Sequence, residues 1–207
     1  MLRALALAAL VALTACGADR IWADDQAVMQ ARYVAPEPRS VTLFTVISER
    51  GGNGAHSSLL INGSEQVLFD PAGSMKMSSV PERHDVLYGM TPRMVNVYID
   101  YHVRPTYRLT EQTRIVSDEV ADLILARVKA NGSVPKAHCA NSISGLLHDI
   151  PGFEDISQTY SPLKLSQMFG AYPNVSMRMV NEQTVDHSHG VRFIDPKRDH
   201  APVKAGL

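Results

Sequence analysis

HSSLLINGSEQVLFD, residues 56–70, reads as strand, turn, strand. Asn62-Gly63 is a strong hairpin signal, because a tight turn needs positive φ and this pair accepts it at little cost. The geometry of that turn decides which side chains share a face. With a type I turn and Gly63 left-handed, Leu60 faces Ser64 and every even residue lies on one side, so His56, Ser58, Leu60, Gln66, Leu68 and Asp70 point together. A two-residue Asn-Gly turn pairs Ile61 with Ser64 instead and sends Asp70 to the face opposite His56. The sequence leaves both registers open.

Upstream, residues 41–48 form a β-branched run that is apolar on both faces, which suits a central strand. Residues 49–55, with Gly51-Gly52-Asn53-Gly54, make a flexible turn that delivers the chain to His56. Downstream, residues 75–93 read as irregular. Residues 95–104 alternate, with Val95, Val97, Ile99, Tyr101 and Val103 on one side and Asn96, Tyr98, Asp100, His102 and Arg104 on the other, which predicts a half-buried strand. Residues 106–110 continue the sheet after Pro105. Ser117-Asp118-Glu119 caps a helix that carries Val120, Leu123, Ile124 and Val128 as its apolar stripe, and Asn131-Gly132 stops it. A second helix is expected over residues 162–169. Residues 16–40 read as a tether with a helical patch after Asp24-Asp25, ended by Pro36 and Pro38. The pattern predicts an α+β domain over residues 41–195, followed by a polar tail at 196–207.

The chain holds two cysteines. Cys139 opens an amphipathic segment in which Ile143, Leu146 and Leu147 follow at helical offsets. A thiol at a helix N-terminus gains thiolate character, and the N–H groups there can receive a developing oxyanion. A small buried apolar cysteine is the plainer alternative, but His138, Asn141 and Ser142 give Cys139 polar company. His56, at the start of its strand after a glycine-rich turn, is the best base for such a thiol. Asp70 or Gln66 is placed to orient its other ring nitrogen. His138 adjoins the thiol but points elsewhere, as consecutive helical residues do. Asp186, His187 and His189 can face a metal from an extended segment, yet they make no recognised ligand set and read as a solvated loop. His84-Asp85 and His200 read as surface loop residues. Met75, Met77, Met90 and Met94 flank the hairpin, as packing or as an adaptable cleft. There is no phosphate-cradling glycine loop, and neither a metal nor a cofactor is expected.

The N-terminus carries Arg3 and then an apolar run from Ala4 to Leu13, too short to span a bilayer but long enough for a secretory signal. Leu13-Thr14-Ala15-Cys16 resembles the bacterial lipobox. That implies a signal peptide over residues 1–15, diacylglycerol on Cys16 and a protein anchored in the cell envelope facing the periplasm. Gly17 after the cysteine implies the outer membrane. An ordinary signal cleaved near Ala15 is the alternative. Removal of Arg3 takes the net charge from −1 to about −2, which gives no electrostatic case for nucleic acid.

The order of these residues resembles the circularly permuted branch of the papain-like superfamily, which includes NlpC-type amidases of permuted topology and the lecithin–retinol acyltransferase group. The likeness spans about residues 41–170: His-x-x-Leu-Leu-Ile-Asn-Gly, then Val-Leu-Phe-Asp-Pro-Ala-Gly-Ser, then a cysteine opening a helix. It implies an antiparallel sheet packed on the cysteine helix, with Cys139 as nucleophile, His56 as base and Asp70 as the polar third residue. Related groups often carry His, Asn or Gln in that third role, and Asp70 falls later than their pattern. The implied activity is hydrolysis or transfer of an acyl or amide group through a thioester, on cell-wall peptides or membrane-surface acyl lipids. The alternative is a catalytically silent binding or envelope-assembly lipoprotein.

Overall fold

A computed structural model describes residue 18 and residues 20–191, so Cys16, the signal segment and the 196–207 tail lie outside the described residues. The seven strands are β1 (Ser40–Ser48), β2 (Gly54–Asn62), β3 (Gln66–Phe69), β4 (Glu82–Arg83), β5 (Val86–Leu87), β6 (Tyr107–Ile115) and β7 (Ser176–Val180). They form one antiparallel sheet in the order β4-β5-β3-β2-β1-β6-β7. Among the described residues five helices accompany it: α1 (Asp25–Ala31), α2 (Pro92–His102), α3 (Asp118–Ala130), α4 (Cys139–His148) and α5 (Pro162–Gly170). The architecture is a mixture of helix and antiparallel sheet, compatible with the expected α+β class.

The hairpin closes in neither register read from the sequence. Asn62 pairs with Gln66 and Leu60 with Leu68, leaving Gly63-Ser64-Glu65 as the loop. This slides the strands yet keeps even residues opposite even residues, so His56 and Asp70 share a face. Tertiary contacts fix the choice. Ser64 N–H donates to Asp122 Oδ1 on α3 at 2.6 Å, and the Asn62 amide donates to the carbonyls of Pro36 and Pro38, both at 3.0 Å.

Both faces of the sheet are apolar, and each is covered. Leu43, Leu59, Ile61 and Phe69 pack with Ile124 of α3, Ile143 of α4 and Phe169 of α5. Phe44, Val46, Leu68 and Leu109 pack on the other side against Tyr98 and Ile99 of α2. That second layer corrects the strand expected over residues 95–104. Thr91 accepts the Met94 N–H at 3.3 Å as N-cap, and Pro92 occupies the first turn, where its fixed φ and missing donor cost nothing. Val95 and Ile99 fit an alternating and a helical period alike, Tyr98 and His102 join their face only in a helix, and a helix covers the second face.

The stretch read as a tether lies against the domain from residue 20 onward. Trp22 bridges to Arg83, the Tyr33 carbonyl accepts the Gln66 N–H at 2.8 Å, and Val28 and Ala31 pack on the core.

Candidate active site

Pairing of β2 with β3 ends at Leu59 and Phe69, and the chain then leaves the sheet at Asp70. Below that end β2 continues through Ser58, Ser57 and His56 with its β3-side edge open. Cys139, the first residue of α4, occupies this edge. Its sulfur lies close enough to the Ser57 and Ala140 N–H groups and to the His56 ring for all three to favour the thiolate. Cys139 is 6% exposed. Ile143, Leu146 and Leu147 are buried at the offsets expected from the sequence.

His56 Nε2 lies 2.6 Å from Asp70 Oδ1, which leaves Nδ1 as the nitrogen free for the thiol. Asp70 is 3% exposed, while the His56 side chain keeps 17% of its surface. The Tyr98 hydroxyl also reaches Asp70 Oδ1, at 2.7 Å, and Ser58 Oγ, at 2.8 Å. An ionised carboxylate only accepts, so the single phenolic proton goes to Asp70 and the Ser58 hydroxyl donates to the phenol oxygen. Glycine is required three residues on: a Cβ at Gly73 would collide with the Asp70 carboxylate.

The charges of this chain support one another. Burial alone would lower the His56 pKa, but the charge and hydrogen bond of Asp70 outweigh it, and the value rises from 6.5 to about 10. Burial opposes ionisation of Cys139 too. The His56 hydrogen bond and charge, with the two N–H groups, overcome it and bring the thiol below its ordinary value. Asp70 is held below the usual carboxylate range despite burial, chiefly by His56. The arrangement sets a buried carboxylate, a charged imidazole and a thiol of lowered pKa in series, the order that nucleophilic catalysis by cysteine uses.

His102 is a second imidazole at this site. Its ring stacks parallel to that of His56, with centroids 5.7 Å apart. Nδ1 lies 2.9 Å from the Tyr98 carbonyl, to which it donates. Burial depresses its pKa to about 4, so it stays neutral beside the charged pair. Compared with known proteins, the chain matches no family model, no curated protein and no solved structure.

The structure thus brings Cys139, His56 and Asp70 together. Gln66, the alternative orienting residue, is elsewhere: its amide donates to the Met90 carbonyl at the hairpin's other end. His138 packs edge-on against Tyr160. Asp85, read as a surface loop residue, is buried at φ 67°. Its Oδ2 accepts the Val134 N–H at 2.7 Å and the Ala72 N–H at 3.3 Å, and its carbonyl accepts the Asp70 N–H at 2.8 Å. Asp85 therefore ties the turn after β3 to the segment that leads into Cys139. A recess of about 450 Å³ opens between those two segments, lined by Gly73, Ser74, Lys76, Val134 and Lys136. Met75 and Met77 line a neighbouring recess of about 500 Å³ with Trp22 and Leu87. Tyr98 and His102 were not read as site residues in the sequence, and Asp85 was misread as exposed. The available signal was the i, i+4 spacing of Tyr98 and His102 behind Thr91-Pro92, which marks one face of a helix.

Proposed function

We propose that this chain is a cysteine hydrolase or acyltransferase with a permuted papain-like core, held in the cell envelope by a lipid on Cys16. The observation that carries the reading is the convergence of Cys139, His56 and Asp70, with His56 hydrogen-bonded to Asp70 and its ring acting on the thiol. The chain order supports the permuted core, since the strand bearing the base precedes the helix bearing the nucleophile.

In the acylation step the Cys139 thiolate attacks the carbonyl carbon and the Cys139 N–H, at the start of α4, is placed to stabilise the oxyanion. The carbonyl-to-leaving-group bond breaks, and the His56 imidazolium gives its proton to the departing amine or alkoxide. His56, now neutral, takes a proton from water or from an acceptor hydroxyl or amine, which attacks the thioester and releases Cys139. Asp70 holds the ring and its positive charge throughout. Cell-wall peptide amides and membrane-surface acyl lipids are the substrates within reach of an anchored enzyme.

An activated ester tests the thioester. After incubation with p-nitrophenyl acetate, intact-mass analysis should find one acetyl group on Cys139 that hydroxylamine removes, and none in Cys139→Ser. An unmodified wild-type thiol overturns the reading. The anchor is tested by detergent partitioning, in which Cys16→Ser should move the protein to the aqueous phase; identical partitioning discards it. The burial of Cys139 favours a second reading, a silent envelope module that keeps the fold.

A further inference from the structure

The carboxylate that holds His56 is itself held by a group that the acyl-transfer scheme leaves unused. The Tyr98 hydroxyl gives its proton to Asp70 Oδ1 at 2.7 Å, the same oxygen that takes His56 Nε2 at 2.6 Å. The other oxygen, Oδ2, faces Gly73, where an added Cβ would collide with it. Turning the carboxylate off the imidazole therefore breaks the phenol bond or drives an oxygen onto the backbone. Tyr98 is fully buried and cannot swing aside. Ser58 Oγ meets its hydroxyl at 2.8 Å, the Phe44 ring lies 5.8 Å from its ring centre, and the His102 ring, one helical turn on, lies 4.3 Å away. Ser58 alone would satisfy a buried phenol; the bond to Asp70 is a second one, directed at the acidic member of the site. Burial and the Asp70 charge push the Tyr98 pKa well above its ordinary value, so the proton stays on the phenol.

We propose that Tyr98 is a positioning residue for His56: its hydroxyl fixes the Asp70 carboxylate, and through it the imidazole, with Nδ1 toward Cys139, a role that rests on Cys139 being the nucleophile and His56 its base. In that cycle Nδ1 gives a proton to the leaving group and takes one back. Rotation of the ring would carry Nδ1 off the sulfur, and a carboxylate free to turn would turn the ring with it. A hydrogen bond to an ionised acceptor is among the stronger ones, and here it is made in a site closed to water. Tyr98 reaches no reacting atom; it acts through Asp70 alone. The phenol brings no charge of its own, so its effect on the thiol is one of orientation. Around the imidazole the ionisable neighbours are Asp70, Cys139 and His102, and His102 stays neutral. The thiol therefore depends on how well Asp70 holds His56 in place.

Two readouts on the purified full chain test this: the pH profile of Cys139 alkylation by iodoacetamide, and the low-field proton NMR signal of the His56 Nε2–H bond to Asp70. Tyr98→Phe keeps the ring in its packing and removes only the hydroxyl. Its thiol inflection should rise by about half a pH unit or more and its rate at pH 6.5 should fall about threefold or more, while the low-field signal shifts or broadens. Thr91→Ala, which removes the N-cap of α2 away from the site, is the control for a merely structural role. It should lower the urea midpoint and leave both readouts at their wild-type values. Should Tyr98→Phe not fold, 3-fluorotyrosine labelling keeps the hydroxyl and makes it a stronger donor, so the low-field signal should move. A Tyr98→Phe protein with wild-type inflection and signal, or a labelled protein with an unmoved signal, overturns the inference alone. A wild-type thiol that inflects in the ordinary range overturns the enzyme reading, and the His56 signal then decides whether Tyr98 positions the ring.

Discussion

Two histidine–aspartate pairs with the same spacing sit on opposite sides of α2. His56 Nε2 meets Asp70 at 2.6 Å, and His189 Nε2 meets Asp100 at 2.6 Å. Their second nitrogens differ. His189 Nδ1 accepts the Val191 N–H at 3.0 Å, its carbonyl takes Arg93 Nε at 2.9 Å, and its side chain is 1% exposed. His187 adds its own contact to Asp100 at 3.1 Å. With both ring nitrogens engaged, this pair is a clasp that holds residues 186–191 on α2, not the solvated loop read from the sequence. The His56 ring keeps surface, and its second nitrogen faces a sulfur. A carboxylate on an imidazole is therefore not a functional signature; the group on the other nitrogen decides.

Breaking each pair should give different readouts. The largest effect is expected from Asp70→Asn. Burial would then be opposed by Cys139 alone, so the His56 titration should fall well below about 10, as followed by ring-proton NMR. The sign follows from the causes: the carboxylate raises this pKa and burial lowers it. Asp100→Ala should cost about 3 kcal/mol in urea denaturation, since two histidines lose one buried acceptor, while the reactivity of Cys139 stays near wild type. His189→Ala should cost about 1–2 kcal/mol and speed proteolysis within residues 186–191, again without change at the thiol. Loss of thiol reactivity in either clasp variant, with the fold retained, would erase the distinction between the two pairs.

How much of this was legible depended on whether the signal was local. The hairpin, the cysteine helix and the extent of α3 were readable because turn residues, caps and apolar spacing sit within a few positions of one another; of the expected α3 stripe Ile124 and Val128 are buried, but Leu123 is exposed and Ala121 and Leu125 are buried instead. The convergence of His56 and Asp70 depended on parity alone, which the slid register preserved. The α2 helix was misread because Val95 and Ile99 fit an alternating period as well as the helical one that adds Tyr98 and His102. What broke the tie was the second apolar face of β1, visible in Phe44 and Val46 as residues that needed a cover. The burial of Asp85, Asp100 and His189 was illegible, because each is paired with backbone or side chains more than 45 positions away along the chain.

The most direct measurement is the rate of Cys139 alkylation by iodoacetamide against pH. An ion pair with His56 predicts a rate that inflects below the ordinary thiol pKa of about 8.5, with His56 staying charged until about pH 10. In His56→Ala the inflection should return to the ordinary range or above it, and the rate at pH 6.5 should drop by about tenfold or more. Two superimposable profiles with an ordinary inflection would show that imidazole and sulfur do not act together, and the account of this site would fail with them.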